Sequence, residues 1–160
     1  GHERVKLEIA FGNNTASQQI YELIQAMSAE AGFDISLRPT EFAALQSALK
    51  DGSFEAGQSG WSGRADPDGN IHAFVSCKGN LNDAHFCSEK VDALLEEARS
   101  LTDPVKRKAL YDQVQEITQD ELPIVYLYYQ PWPFAARANV KGFTAYPDGM
   151  IRLKGVSTEG

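Results

Sequence analysis

The chain has 160 residues, which is long enough to bury about two-thirds of its unfolded surface in one domain or a little more. Its 15 Lys and Arg residues against 22 Asp and Glu residues give a net charge of −7. Because no basic stripe with interleaved aromatic residues occurs, this composition argues against binding to a nucleic-acid backbone. No apolar run approaches the ~20 residues that cross a bilayer.

The amino terminus begins abruptly. Gly1-His2 resembles the remnant of an expression tag, and an alternating strand follows at once from Arg4. No signal peptide, lipidation cysteine or transit segment is recognisable. We therefore expect the chain to be a piece of a longer protein.

The first sixty residues predict a β-α-β-α-β order. Alternating apolar residues predict strands over residues 5–11, 33–37 and 54–59. Helices are predicted from a capping turn at residues 13–15 to a stop at Gly32, and over residues 41–50. The side chains expected to face the core are Val5, Leu7 and Ile9 in the first strand, Ile20, Leu23, Ile24, Met27 and Ala31 in the first helix, and Phe42, Leu45 and Leu49 in the second. This order builds an α/β fold with helices packed on a parallel sheet.

The second half of the chain predicts two helices and a late β region. Ser88 and Asp103-Pro104 have the residue types that begin helices. The inward residues are expected to be Val91, Leu94, Leu95 and Ala98 in one helix, and Leu110, Val114 and Ile117 in the other. Residues 122–129 form a continuous apolar run that is typical of a strand buried on both faces. Residues 130–133 break regular structure, and residues 140–156 predict short strands around a turn at residues 147–149.

The loop at residues 61–70 carries the strongest functional signal. It follows the third predicted strand and presents Trp61, Arg64, Asp66 and Asp68 together, which indicates a surface for a small polar ligand. A calcium loop fits poorly, because Gly69 is the fourth residue from Asp66 where an EF-hand needs glycine at the sixth. Acid–base catalysis by the two carboxylates is also possible in principle, but in a proline turn such carboxylates more often cap the backbone.

Cys77 and Cys87 bracket a polar loop and allow two interpretations. A disulfide would hold the loop in place and would contribute roughly 2 to 3 kcal/mol. The alternative is a zinc site in a secreted metal-dependent enzyme, with ligands from His72, Cys77, His85 and Cys87. Zinc modules usually pair close ligands at both ends, whereas only His85 and Cys87 are close here. No Gly-rich phosphate loop, nucleophile elbow or His-Glu-x-x-His helix occurs, and we expect neither catalysis nor a cofactor.

Four stretches, in order along the chain, together resemble a known family. They are residues 24–35, residues 52–68 with Gly60-Trp61 and Asp66-Pro67-Asp68, residues 88–107, and residues 111–124. This pattern resembles the C-terminal part of a family 5 extracytoplasmic solute-binding protein of an ABC importer, a group that includes dipeptide-, oligopeptide-, glutathione- and nickel-binding proteins. The pair Cys77 and Cys87 also resembles a disulfide loop of dipeptide binders, which favours an oxidising compartment.

The resemblance implies one lobe of a two-lobed, periplasmic-binding-protein type II-like fold. Residues 4–138 would form the second lobe, residues 1–3 would be a tag remnant or hinge, and residues 139–160 would return to the first lobe. The implied function is non-catalytic solute capture outside the cytoplasm of a bacterium. The full-length protein would carry a signal peptide and would be either free in the periplasm or anchored to the membrane as a lipoprotein. The implied partners are the solute, the first lobe and a membrane permease.

The resemblance also assigns ligand-binding residues by position. In peptide-binding members, the backbone at Gly60, Trp61 and Ser62 runs along the ligand. Phe42 occupies the position of a pocket tryptophan, and Gln58 and Leu49 occupy positions of arginines.

Arg64 stands where members that bind free peptides have an Asp for the ligand's amino group. This charge reversal predicts an anionic ligand group at Arg64, with Asp66 either orienting the guanidinium or receiving a ligand cation. The alternative is that Arg64 forms a surface salt bridge with Asp66 or Asp68.

Overall fold

The computed structural model describes residues 3–160, so the predicted tag remnant at Gly1-His2 lies outside the described residues. The elements in chain order are β1 Val5–Gly12, α1 Thr15–Glu30, β2 Phe33–Thr40, α2 Phe42–Asp51, β3 Ala56–Gly57, α3 Asp68–Val75, α4 Glu89–Ser100, α5 Pro104–Glu121, β4 Val140–Lys141 and β5 Ser157–Thr158. The predicted α/β class and the β-α-β-α-β order are both confirmed.

The first three strands form a parallel sheet in the order β2-β1-β3. β1 pairs with β2 along its whole length, whereas β3 pairs only through Ala56 and Gly57. The third strand is shorter than predicted because a side chain ends the ladder. The N–H of Gln58 donates to Ala10 O at 2.8 Å, and the Gln58 side-chain oxygen then accepts the N–H of Gly12 at 2.9 Å. The chain beyond Gln58 is thereby left outside the sheet.

Helix α1 begins and ends where the sequence predicts, but a different face of it is buried. Asn14 caps it by accepting the N–H of Ser17 at 3.0 Å, and Gly32 follows its end with a φ of +93°. The buried positions are Ser17 and Tyr21, with Ile24 packed beside them. The predicted inward positions Leu23, Met27 and Ala31 are wrong, since all three are exposed. Val5 of β1, also predicted to face the core, is exposed as well. The Tyr21 ring stacks on Phe11 at 4.6 Å, and this contact sets the rotation of the helix against the sheet.

Helix α2 packs on the opposite face of the sheet. Leu45 and Leu49 form a small core with Ala10 of β1, as predicted for both leucines. The inward prediction for Phe42 is wrong, because this side chain is 70% exposed. Phe42 is the first residue of the helix, one residue after the cap Glu41, and lies past the end of β2.

Helices α3, α4 and α5 bury a separate apolar cluster made of Val75, Val91, Leu95 and Val114. The predicted starts of α4 and α5 are confirmed, because the side chains of Ser88 and Asp103 accept N–H groups of the first turns. Helix α3 was not predicted, since Asp68-Gly69-Asn70 at its start are residues more typical of a turn.

The chain after α5 differs most from the sequence expectation. The strand predicted for residues 122–129 is wrong, because this run pairs with no strand of the described chain and Val125, Tyr126 and Tyr129 are exposed. High β propensity forms a strand only where a sheet edge is available to pair with it. Of the strands predicted around the turn at residues 147–149, only β4 forms within residues 140–156, and it pairs antiparallel with β5. Among residues 3–160, no helix combines the length and apolarity needed to span a membrane.

Candidate functional site

The candidate site lies at the carboxyl edge of the parallel sheet, where β1, β2 and β3 all end. Open α/β sheets bind ligands at this edge, because loops from several strands converge there. The N–H of Asn13 donates to Thr40 O at 3.1 Å and ties the end of β1 to the end of β2. Trp61 to Asn70, which we call the Trp61 loop, leaves this edge after β3.

Gln58 holds the edge together. Its side-chain oxygen accepts from Gly12, and its amide nitrogen donates to Ser17 Oγ at 3.2 Å. Ser17 Oγ in turn accepts from the Asn14 side chain at 3.0 Å. The predicted ligand contact at Gln58 therefore falls on a side chain that already has protein partners for its oxygen and its amide nitrogen.

Residues 59–63 are exposed and belong to no helix or strand. Within the described residues, their one hydrogen-bonded backbone group is Ser62 O, which accepts from Arg64 Nη1. Gly60 and Trp61 therefore present unpaired N–H and C=O groups to solvent. Such groups resemble those of an exposed strand edge, which an extended ligand can pair with.

Trp61 and Arg64 form the exposed surface of the loop. The indole is 45% exposed and packs edge-on against Phe74 of α3, with ring centroids 5.1 Å apart. The guanidinium carbon of Arg64 lies 4.4 Å from the centroid of the indole ring. This cation–π contact is worth about 0.5–1 kcal/mol at an exposed site. It keeps the positive charge of Arg64 next to the exposed indole.

Asn70 organises the inside of the Trp61 loop. Its side-chain oxygen accepts from Trp61 Nε1 at 3.2 Å and from the N–H of Arg64 at 2.6 Å. Its amide nitrogen donates to Arg64 O at 2.8 Å and to Asp66 O at 2.9 Å. Sequence reasoning assigned no role to this residue. The available signal was an amide placed shortly after a turn, since asparagine can satisfy donors and acceptors at once.

Asp66 is bound by Arg107 of α5. The two Arg107 amino nitrogens reach the two carboxylate oxygens at 2.8 and 3.0 Å, and Arg107 also donates to Ala98 O at 3.0 Å and to Tyr111 Oη at 3.2 Å. Asp66 additionally accepts the N–H of Asp68 at 2.9 Å, which confirms the expected backbone capping. The hydrogen bonds from Arg107 and from the Asp68 N–H lower the pKa of Asp66, and the same ion pair raises the pKa of Arg107. Sequence reasoning missed the role of Arg107.

Asp68 has its own arginine partner. Arg99 of α4 contacts both of its carboxylate oxygens, at 2.7 and 3.1 Å, and also reaches Glu96 at 3.1 Å. The alternative salt bridge from Arg64 to Asp66 or Asp68 is therefore not formed. Asp66 also does not orient the Arg64 guanidinium, as one form of the ligand prediction supposed.

Two further residues that the resemblance assigned to the ligand site lie in different environments, one exposed and one buried. Phe42 is exposed at the same carboxyl edge as the Trp61 loop. Leu49, which occupies an arginine position of the resembling family, is only 3% exposed and belongs to the core under β1. Leu49 consequently has a packing role and does not face a ligand.

The cysteines form the predicted disulfide, with Cα atoms 4.3 Å apart. The Asn82 side chain ties the enclosed loop together by donating to Ser76 O at 3.0 Å and to Phe86 O at 2.6 Å. The zinc alternative is wrong, because both sulfurs are bonded to each other and His72 pairs with Glu96 at 3.0 Å. No cluster of three or more His, Cys, Asp or Glu side chains suited to a metal ion occurs in residues 3–160.

Comparison with known proteins agrees with this architecture. Residues 2–82 match the family described as bacterial extracellular solute-binding proteins, family 5. Di/tripeptide-binding protein 4 of Pseudomonas aeruginosa is 32% identical over 131 residues, covering 79% of this chain and 24% of that protein. Heme-binding protein A of Haemophilus influenzae is 32% identical over 151 residues, covering 92% of this chain and 28% of that protein.

A solved structure shows the same fold. The complex of Haemophilus influenzae OppA with the peptide RPPGFSPFR superposes with a TM-score of 0.84 at 19% identity, over 97% of this chain and 31% of that one. This chain therefore belongs to the family 5 bacterial extracellular solute-binding proteins and has the type II-like periplasmic-binding-protein fold. It spans about a quarter of the length of the relatives that it matches.

Proposed function

We propose that this chain supplies one lobe of a protein that captures a small polar solute, peptide-like or otherwise carboxylate-bearing, and delivers it unchanged to an ABC permease. The observation that carries the proposal is the position of Arg64. Its guanidinium lies on the exposed Trp61 ring, and no carboxylate within residues 3–160 forms a salt bridge with it. The proposed ligand-contacting residues are Phe42, Gly60, Trp61, Ser62 and Arg64.

The charge balance of the loop supports an anionic ligand group. Asp66 and Asp68 are each matched by a bidentate arginine from the helices behind them. Arg64 is left as the uncompensated charge on the solvent side. A guanidinium presents paired N–H donors that match the two oxygens of a carboxylate. A ligand ammonium would instead meet like charge at this position.

The free backbone of residues 59–63 supports a peptide-like main chain in the ligand. An extended peptide can donate to and accept from such groups as an added strand does. The Pseudomonas aeruginosa relative is named a di/tripeptide-binding protein, and the Haemophilus influenzae OppA structure contains a peptide. Since the resembling free-peptide binders have an Asp where this chain has Arg64, we infer a ligand without a free amino group at this place.

We further propose that residues 4–138 form the second lobe of the complete protein and that residues 139–160 pack with the first lobe. The exposed apolar run at residues 122–129 supports this division, because a protein seldom leaves so many large side chains in water unless another surface covers them. The disulfide between Cys77 and Cys87 supports a location outside the cytoplasm. The cognate permease in the membrane would be the delivery partner.

The test uses the complete two-lobed protein. Native mass spectrometry of freshly purified protein would identify any solute that co-purifies with it. Calorimetry with N-acetyl-alanyl-alanine, which has only a carboxylate, and with alanyl-alanine amide, which has only an ammonium, would then test the charge at Arg64. We expect binding of the first probe and none of the second.

Substitution of Arg64 tests the same point from the protein side. Loss of a charged hydrogen-bond partner costs about 1.5–3 kcal/mol. Arg64→Ala should therefore lower the affinity for N-acetyl-alanyl-alanine by roughly 10- to 100-fold, with little change in the melting temperature of the empty protein. Lys78→Ala, at an exposed cation in the disulfide loop, is the matched control. Preference for the amide probe, or an unchanged affinity in Arg64→Ala, would contradict the anionic assignment.

A further inference from the structure

The Trp61 loop is held internally by the hydrogen bonds of Asn70, but it buries little apolar surface of its own. It has one half-exposed aromatic ring, two glycines, a serine and a proline, and no buried side chain before Val75 of α3. A loop of this kind samples many conformations unless groups outside it fix it. The position of the Trp61 loop relative to the sheet edge therefore depends on contacts with the surrounding helices.

Two arginines join the loop to the scaffold: Arg99 contacts Asp68 at the start of α3, and Arg107 contacts Asp66 at the midpoint of the loop. The Arg107 guanidinium contacts both oxygens of Asp66, the carbonyl of Ala98 at the end of α4, and the hydroxyl of Tyr111 one turn along α5. Three separate segments therefore meet at a single planar group, whose fork geometry fixes orientation as well as distance. The Arg107 side chain is largely shielded, whereas that of Asp66 is more than half exposed.

The effect of this contact reaches the ligand side through Asp66. The carboxylate of Asp66 accepts the N–H of Asp68, the first residue of α3, and the carbonyl of Asp66 accepts from Asn70. Asn70 in turn holds the Trp61 indole and the Arg64 backbone. A continuous set of hydrogen bonds thus runs from Arg107 to the surface formed by Trp61 and Arg64.

We infer that Arg107 is a positioning residue for ligand capture, which holds Asp66 so that Trp61 and Arg64 keep their place at the sheet edge. It has a second, electrostatic effect, since its pairing with Asp66 keeps that carboxylate from neutralising Arg64. This inference rests on the proposed function for its consequence in binding. Its structural part, that Arg107 orders the loop through Asp66, stands independently of any ligand.

The structural part is tested on the 160-residue chain by hydrogen exchange. In Arg107→Ala, the amides of Arg64 and Asp68 should exchange at least about tenfold faster, while the amides of Ile9 and Ile35 in the sheet stay unchanged. Arg152→Ala is the matched control, because Arg152 forms a bidentate pair with Asp148 away from the loop. Unchanged loop exchange, or an equal acceleration in the sheet, overturns the inference.

A double-mutant cycle shows whether Arg107 acts through Asp66. Asp66→Ala alone should loosen the loop, and adding Arg107→Ala to it should have little further effect on the Arg64 amide. Equal effects of Arg107→Ala with and without Asp66 would mean that it acts through Ala98 or Tyr111, and would overturn the inference.

The consequence in binding is measured in the complete protein with N-acetyl-alanyl-alanine. Arg107→Ala should lower the affinity for this probe at least about fivefold, whereas Arg152→Ala should leave the affinity unchanged. If the wild type binds and Arg107→Ala binds equally well with a loosened loop, the positioning role in capture is wrong. If the loop loosens as expected but the wild type binds no probe, the proposed function fails while the ordering role of Arg107 is supported.

Discussion

Replacing Asn70 by alanine should release the Trp61 loop while leaving the sheet intact. In the folded protein, the Asn70 side chain forms hydrogen bonds with Trp61, with both backbone groups of Arg64, and with Asp66 O. Alanine supplies none of them. The helix itself should tolerate the change, because alanine has a higher helix propensity than asparagine.

The free energy that the loop should lose in Asn70→Ala follows from the number of hydrogen bonds removed and from their exposure to water. A net hydrogen bond contributes about 0.5–1.5 kcal/mol, and the lower end applies here because the loop is exposed and water can replace part of what is lost. Four bonds at about 0.5 kcal/mol each give about 2 kcal/mol, which corresponds to roughly 30-fold more frequent opening of the loop. The two apolar clusters on the sheet do not depend on Asn70, so global stability should change less.

Two measurements on the 160-residue chain check this prediction. In a Trp132→Phe background, Trp61 is the sole tryptophan, and its emission should shift to the red and be quenched more readily by acrylamide. Hydrogen exchange at the Arg64 amide should accelerate by roughly 30-fold. Asn80→Ala is the control, since Asn80 is exposed and has no side-chain hydrogen bond among the described residues. An equal effect of the two substitutions would refute the assigned role of Asn70.

Three further predictions concern stability and charge. Gly57→Ala should lower the free energy of unfolding in urea by about 1–3 kcal/mol, because its Cβ would lie 2.3 Å from Leu49 Cδ2 in the core. Reduction of the disulfide with dithiothreitol should lower the free energy of unfolding by roughly 2 to 3 kcal/mol, because the disulfide closes a short loop and restricts the unfolded chain. The loss should appear as a lower melting temperature. The hydrogen bonds from Arg152 lower the pKa of Asp148 to about 2. The stabilisation from this ion pair is therefore present above pH ~4 and is lost as the pH falls towards 2. In Arg152→Ala, the pKa of Asp148 measured by NMR should lie closer to 3.8.

Much of the fold was predictable because its signals are local. Ser88, Asp103 and Asn14 cap the helices that their sequence positions indicate, since a cap needs only the following turn of backbone. The parallel order of the first three strands followed from their alternation with helices. The failures at Leu23, Met27 and Phe42 concern which side of a helix is buried, and that depends on the shape of the surface the helix meets.

The candidate site divides in the same way. The position of the Trp61 loop after a strand was visible in the order of residues, and a disulfide was one of the two interpretations that the sequence allowed for the cysteines. The partners of Asp66 and Asp68 were not, because Arg107 and Arg99 lie 41 and 31 residues away along the chain. Nothing in a local pattern distinguishes these arginines from other cations on a helix.

The sequence alone determined the α/β order, the starts of α1, α4 and α5, and the resemblance to a solute-binding family, because each of these rests on spacing within short segments. Only the tertiary structure decided which charges compensate one another. Packing α4 and α5 behind the Trp61 loop brings Arg107 to Asp66 and Arg99 to Asp68, and so leaves Arg64 unmatched on the Trp61 ring. The charge on the exposed side of the loop is therefore set by contacts that exist only after the chain has folded.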